Sequence, residues 1–223
     1  MGKSQLFAFL QDLRDNNSKE WMDQNRHHYQ TAKATWLAEI QAIFDRLEDR
    51  IPAFRGHQPK DTIMRINNNR RFNPSLPLYR DYFTFGISVV PKQGPYYHLS
   101  VSPGQCRIGG GVYRPDPASL KKVREAIDYD GDQLRAIVEA AAFQDFYGGL
   151  APDPHQLKSS PRGYAKDHPH LDLLRYKSLI GICELSDAEV LADDFIDTVE
   201  RAYLSIQPLN DYFAQALLFE AEA

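Results

Sequence analysis

"YFTFGISVVPKQGPYYHLSVSPGQCRIGGGV", residues 82–112, switches the hydrophobic period of the chain from 3.6 to 2, and so decides what the remaining segments must pack against. Phe83, Phe85, Ile87 and Val89 alternate with Tyr82, Thr84, Gly86 and Ser88, while Tyr97, Leu99 and Val101 alternate with Tyr96, His98 and Ser100. Each run predicts a strand with one apolar face. "PKQGP" turns the first strand into the second, "SPG" turns again, and Cys106 and Ile108 continue the apolar face while Arg107 takes the polar one. The prediction is an antiparallel meander. "GGG" at Gly109 to Gly111 lacks the Gly-Lys-Ser/Thr ending and the immediate helix of a phosphate-binding loop. A bulge or close backbone approach at the edge of the meander is expected instead, with amides still able to face a ligand. "DTIMRIN" (61–67) and "SLIGICEL" (178–185) are further strand candidates, the second placed near the sheet centre by its near-continuous apolar run.

Helical spacing flanks this region on both sides. Leu6, Phe9, Leu10 and Leu13 predict a short first helix ending at "DNN", and Ser18 caps a second whose face runs through Trp21, Tyr29, Trp36, Ile40 and Leu47, with a break expected near Lys33. The Trp and Tyr stripe is expected to be core, since large aromatics dominate burial. Beyond the meander, Asp116 and Pro117 start a helix, Leu134, Ile137 and Val138 mark another, and "SDAE" (186–189) is a capping box. Phe195, Val199, Tyr203 and Ile206 form an amphipathic face, Pro208 is expected to restart the chain, and Leu209, Tyr212, Phe213 and Leu217 form the last one. With no repeat and no linker, the pattern predicts one compact α+β domain over 1–223, a central antiparallel meander flanked by N-terminal and C-terminal helices.

No apolar run reaches the roughly 18 residues of a membrane span, no signal core opens the chain, and Cys106 and Cys183 sit in apolar runs as free thiols. A cytoplasmic protein is expected, with no membrane partner. The net charge of −4 is unevenly spread: six cations stand against Asp61 and Asp81 between Arg55 and Asp81, whereas ten acids face Arg201 from Glu184 onward. A basic middle suits a local anionic ligand, and the acidic whole argues against nucleic acid.

Two stretches concentrate chemistry. "RINNNRRF" (65–72) and the following "NPSLPLYRDYF" (73–83) gather Arg65, Arg70, Arg71 and Arg80, whose forked donors suit phosphate or carboxylate; the asparagines serve equally as turn formers. "SSPRGYAKDHPHLDLLRYKS" (159–178) is bent by Pro161 and Gly163, and there Asp167 is placed to orient the imidazole of His168, the pairing used in general acid–base work. His168 and His170 lack a third metal ligand, and no cofactor motif is present. His98 and Arg107 share the polar sheet face, solvated or flooring a cleft.

"FLQDLRDNNSKEWMDQNRHHY", "RINNNRRF", "GGGVYRPDPASLKKVREAI", "PRGYAKDHPHLDLLRYKS" and "QPLNDYFAQAL", in this order, resemble the family catalogued as domain of unknown function 2461 over nearly the whole chain. The matching positions are Trp21, Arg65, Asn67, Arg71, Phe72, Tyr79, Pro161, Gly163, Tyr164, Asp167, His168, Pro169 and Lys177. The chain departs from the pattern at Asn68 and Asn69, where the family typically carries Arg-Asp, and at Ser75 and Leu76, where it carries Asp-Lys. The resemblance implies no reaction.

The functional expectation is a small anionic ligand in a basic cleft shared by the two loops, bound by Arg65, Asn67, Arg71, Tyr79, Arg107, Arg162, Tyr164 and Lys177. In an enzymatic version His168 and Asp167 are catalytic, Arg65 and Arg71 clamp the anion, and Lys177 stabilises charge. The alternative is a non-catalytic module whose basic loops and C-terminal helices dock an acidic protein. The sequence leaves the oligomeric state open.

Overall fold

The computed structural model describes residues 2–219. In order they form α1 (Lys3–Asp15), α2 (Lys19–Gln24), α3 (Arg26–Leu47), a 3-10 turn (Pro52–Phe54), α4 (Pro59–Thr62), β1 (Phe83–Ser88), β2 (Tyr96–Val101) and β3 (Cys106–Val112). There follow α5 (Pro117–Glu139), α6 (Ala141–Tyr147), α7 (Leu171–Leu174), β4 (Leu179–Leu185), α8 (Asp187–Leu191) and α9 (Phe195–Leu218). The class is α+β, with the strands in one antiparallel meander ordered β1-β2-β3-β4. Phe85, Ile87, Leu99, Val101 and Ile108 are all buried, as their alternation requires; a slip of one residue would turn the whole set outward. No described helix is long and apolar enough to cross a membrane.

Three expectations about the strands are corrected. β3 runs through the glycine triplet to Val112 and lies between β2 and β4, so the glycines are not at an edge. A Cβ on Gly109, Gly110 or Gly111 would strike the carbonyl oxygen of Gly181, Tyr96 or Leu179, which makes this a close backbone approach within a strand. β4 stands at the edge, not the centre: Leu179, Gly181 and Leu185 are buried while Ile182 on the other face is 40% exposed, so the apolar run marks cover on one face and not a place in the order. The backbone N–H of Ala151 donates to the Ile180 carbonyl (2.8 Å). "DTIMRIN" begins as the short α4, and its extended half makes only single bridges, Ile63 with Phe85 and Asn67 with Tyr79.

The residues group into two compact units. The first comprises Met1–Ile87, His98–Ile108 and Glu184–Glu200. Here α1 packs on α3, Trp36 is 1% exposed and stacked on Phe83 (6.2 Å between centroids), and Phe44 meets Phe54 and Phe85 edge-on. Trp21 is half-buried against Phe9 (6.0 Å). The helix break falls at Asn25 rather than Lys33, because the Asn25 side chain donates to the Trp21 carbonyl (2.9 Å) and closes the last turn of α2. The Ser186–Glu189 capping box starts α8 as expected.

The second unit comprises Ser88–Tyr97, Gly109–Cys183 and Arg201–Ala223. α5 begins with Asp116 accepting from Ala118 N–H and Ser119 N–H and with Pro117 in its first turn. Its span holds the two helices expected, joined across a kink at Asp130, whose backbone leaves helical geometry. The Asp130 carboxylate accepts from Gln133 N–H (3.3 Å) as a fresh N-cap, and its freed carbonyl accepts from the Tyr212 hydroxyl (3.3 Å). α9 likewise continues through Pro208 instead of restarting there. Burial of Tyr203, Ile206, Leu209 and Phe213 on both sides of the proline holds the helix in register despite the lost N–H.

Candidate functional site

The sequence-predicted residues divide between the units, and each set is described by itself. In the first unit, residues 63–82 fold back as an arm: Arg80 N–H donates to the Ile66 carbonyl (2.8 Å), Asn68 N–H to Leu78 (3.0 Å), and Asn17 holds both backbone groups of Tyr79 (2.9 Å each). Tyr79 is buried at the base of the arm beside its bridge partner Asn67, while Arg65 and Arg71 are exposed. The asparagines act as turn formers, Asn69 accepting from Arg71 N–H (3.2 Å) and Asn73 from Ser75 N–H (3.3 Å). Arg107, on the polar sheet face with exposed His98, pairs with Glu184 (3.2 Å).

In the second unit, residues 159–178 lie against the middle of α5. Gly163, at φ +96°, turns the chain after buried Pro161, with Tyr164 N–H donating to the Pro161 carbonyl (3.2 Å). Arg162 and Asp167 are exposed on this turn, and Lys177 is exposed further on, its backbone N–H held by Asp153 (2.7 Å). Tyr164 is half-buried with its ring edge-on to His168 (6.1 Å).

The acid on His168 is Asp128 from α5, not Asp167. His170 N–H donates to Nδ1 of His168 (3.1 Å), which fixes the proton of the neutral ring on Nε2, and Nε2–H donates to Asp128 Oδ1 (2.8 Å). Both ring nitrogens are thereby engaged, and His168 tethers the loop to the helix. His170 is different: its ring is buried, Nε2 lies 3.7 Å from Asp132, and Nδ1 has no partner. It fits only because residue 131 is glycine, since a Cβ there would strike the imidazole.

Arg124 on α5 completes the face, and Arg175 lies at the end of α7. Arg124 Nε donates to the Leu174 carbonyl (3.0 Å), but its Nη2 is buried without a partner, as is Nε of Arg175. Burial lowers the pKa of Arg124 from its usual range, with Tyr164 opposing. Burial also raises that of Tyr164, with the charges of Asp128 and Glu125 adding to it. A guanidinium, a buried imidazole nitrogen and a phenol are thus collected against α5, an arrangement suited to binding oxyanions.

Arg124, Asp128, Gly131, His170 and Arg175 were not among the residues expected to form the site. The available signal was the stripe Arg124, Asp128, Asp132, each four residues on, interrupted by the unusual Asp130-Gly131 pair.

A family model described as conserved hypothetical protein (DUF2461) matches residues 5–212. No curated protein and no solved structure matches the chain.

Proposed function

The chain belongs to that family, whose description names no reaction, and we propose from its own geometry that it binds a small phosphate- or carboxylate-bearing ligand where α5 meets residues 159–178. The observation that carries this reading is the pair of buried guanidinium nitrogens, Arg124 Nη2 and Arg175 Nε, that lack acceptors. A buried cationic donor without an acceptor costs several kcal/mol, and an oxyanion supplying two or more oxygens offsets that cost. Tyr164 offers a hydroxyl at the same face, Arg162 and Lys177 are exposed charges able to steer an anion inward, and His170 rather than His168 retains a nitrogen for a ligand proton. We place this activity in the cytoplasm, a reducing compartment that suits Cys106 and Cys183, neither of which is in a disulfide.

Thermal unfolding of the full chain with inorganic phosphate, a nucleoside monophosphate and a dicarboxylate tests the proposal. At least one anion is expected to raise Tm, less so as salt increases, and saturation at about 100 times Kd corresponds to about 2.7 kcal/mol. Arg124→Met and Arg175→Met should each abolish the effect while leaving the ligand-free chain folded, because each removes a buried N–H that lacks an acceptor. Anions that leave the wild-type Tm unchanged, or that raise the Tm of either variant as much as that of wild type, would sink the reading.

A further inference from the structure

We infer that the chain associates head to tail, the Arg71–Phe72 tip of one copy seating in an apolar hollow beside α5 of a second copy. The hollow adjoins the anion-binding face, sharing α5 and residues 172–176 with it, but is lined by none of the side chains assigned to the anion.

The tip is ordered before anything binds it. Arg70 donates through Nε to the Pro74 carbonyl (3.0 Å), Asn68 Nδ2 to the Pro77 carbonyl (3.0 Å), and the Asn69 and Asn73 side chains close the turns between them. What this small scaffold presents is Phe72, 84% exposed, with the Arg71 guanidinium 5.4 Å from its ring centroid. A bare aromatic on a disordered loop would lose its docking energy to ordering; on a closed loop it keeps most of it. Arginine and aromatic side chains are also those that dominate interface energies.

The hollow has the complementary chemistry. It measures ≈ 230 Å³ and is lined by Val138, Leu150, Leu173 and Tyr176, with Glu139 at its rim. A cavity of about 150 Å³ accepts benzene, so a phenyl ring has room here. Arg135, which pairs with Asp172 (2.9 Å) and also feels Glu139, leaves these three charges at −1 in sum, the complement of the incoming Arg71. Long-range charge acts in the same sense. Residues 64–80 hold four cations and no acid, so the remainder of a chain of net −4 carries −8. A cationic tip on an otherwise acidic chain finds its complement on another copy.

Such a contact uses different surfaces on the two copies, so it does not stop at two unless a ring closes. Sedimentation velocity of the full chain over a concentration series should show mass rising beyond a dimer and falling with salt. Two variants carry the test: a tip variant, Arg71→Glu with Phe72→Ala, and a hollow variant, Glu139→Arg, all at exposed positions. Each alone should weaken association by about tenfold or more. Mixed in equal amounts they should form a two-copy species and nothing larger, because only the intact tip of one and the intact hollow of the other remain. A wild-type chain that stays monomeric throughout, a single variant that assembles like wild type, or a mixture that gives no dimer would each overturn the inference.

Discussion

Asp153 accepts backbone hydrogen bonds from Lys177 (2.7 Å), Ser178 (3.0 Å) and His155 (2.9 Å), tying two loops together through one carboxylate. Burial works to raise its pKa, but the three N–H donors prevail and hold it below the usual carboxylate range. A depressed carboxyl stabilises the fold above its unfolded pKa of ~4, and the contribution is lost as pH falls through the folded value. Asp153→Asn cannot accept on both sides, so urea melts at neutral pH should show a loss of about 1–2 kcal/mol. The difference from wild type should shrink as the buffer is acidified through the carboxylate range; a pH-independent difference would contradict the account. At this scale the sequence is least informative. Asp167 adjoins His168 and invites the pairing, yet the turn at Gly163 leaves it exposed, and Asp128, 40 residues away, takes the bond. No local pattern encodes such a partner, because the choice is made by how residues 159–178 pack on α5.

Elements were legible where a period is sustained and blurred where packing overrules local preference. The alternation over residues 82–112 gave the meander, its register and its buried face, and Asp116, Ser18 and Ser186 gave three helix starts. The sheet order and the passage of α9 through Pro208 depend on contacts between distant segments. Asn210 illustrates such a contact: wholly buried on α9, it accepts from Gly111 N–H (2.8 Å) and donates to the Tyr96 carbonyl (3.3 Å). Asn210→Ala gains less than about 0.7 kcal/mol of helix propensity but strands both backbone groups, at about 1–3 kcal/mol. A net fall in stability is expected in denaturant titration, together with faster amide hydrogen exchange at Gly111. An unchanged Gly111 exchange rate would mean that the bond does not organise β3.

The grouping of the whole chain is not sequential. The first unit draws on Glu184–Glu200 as well as on the N-terminal residues, and that late segment supplies buried Val190, Phe195 and Val199 and the Glu200 carboxylate that pairs with Arg46 (2.8 Å). Burying three such side chains is worth on the order of 5 kcal/mol, comparable with the entire stability of a typical domain. A chain truncated after Cys183 should therefore lack a cooperative thermal transition and native near-ultraviolet dichroism; a truncated chain that melts like the intact one would refute this dependence. Composition carries no mark of a unit assembled from three separated pieces. The same arrangement sets a timetable for synthesis. About a hundred residues separate Ile87 from Glu184, so at roughly 5–20 residues per second the ribosome needs roughly 5–20 s to deliver the segment that the N-terminal helices await. For that interval their apolar surfaces are nascent and uncovered, a natural client for a chaperone.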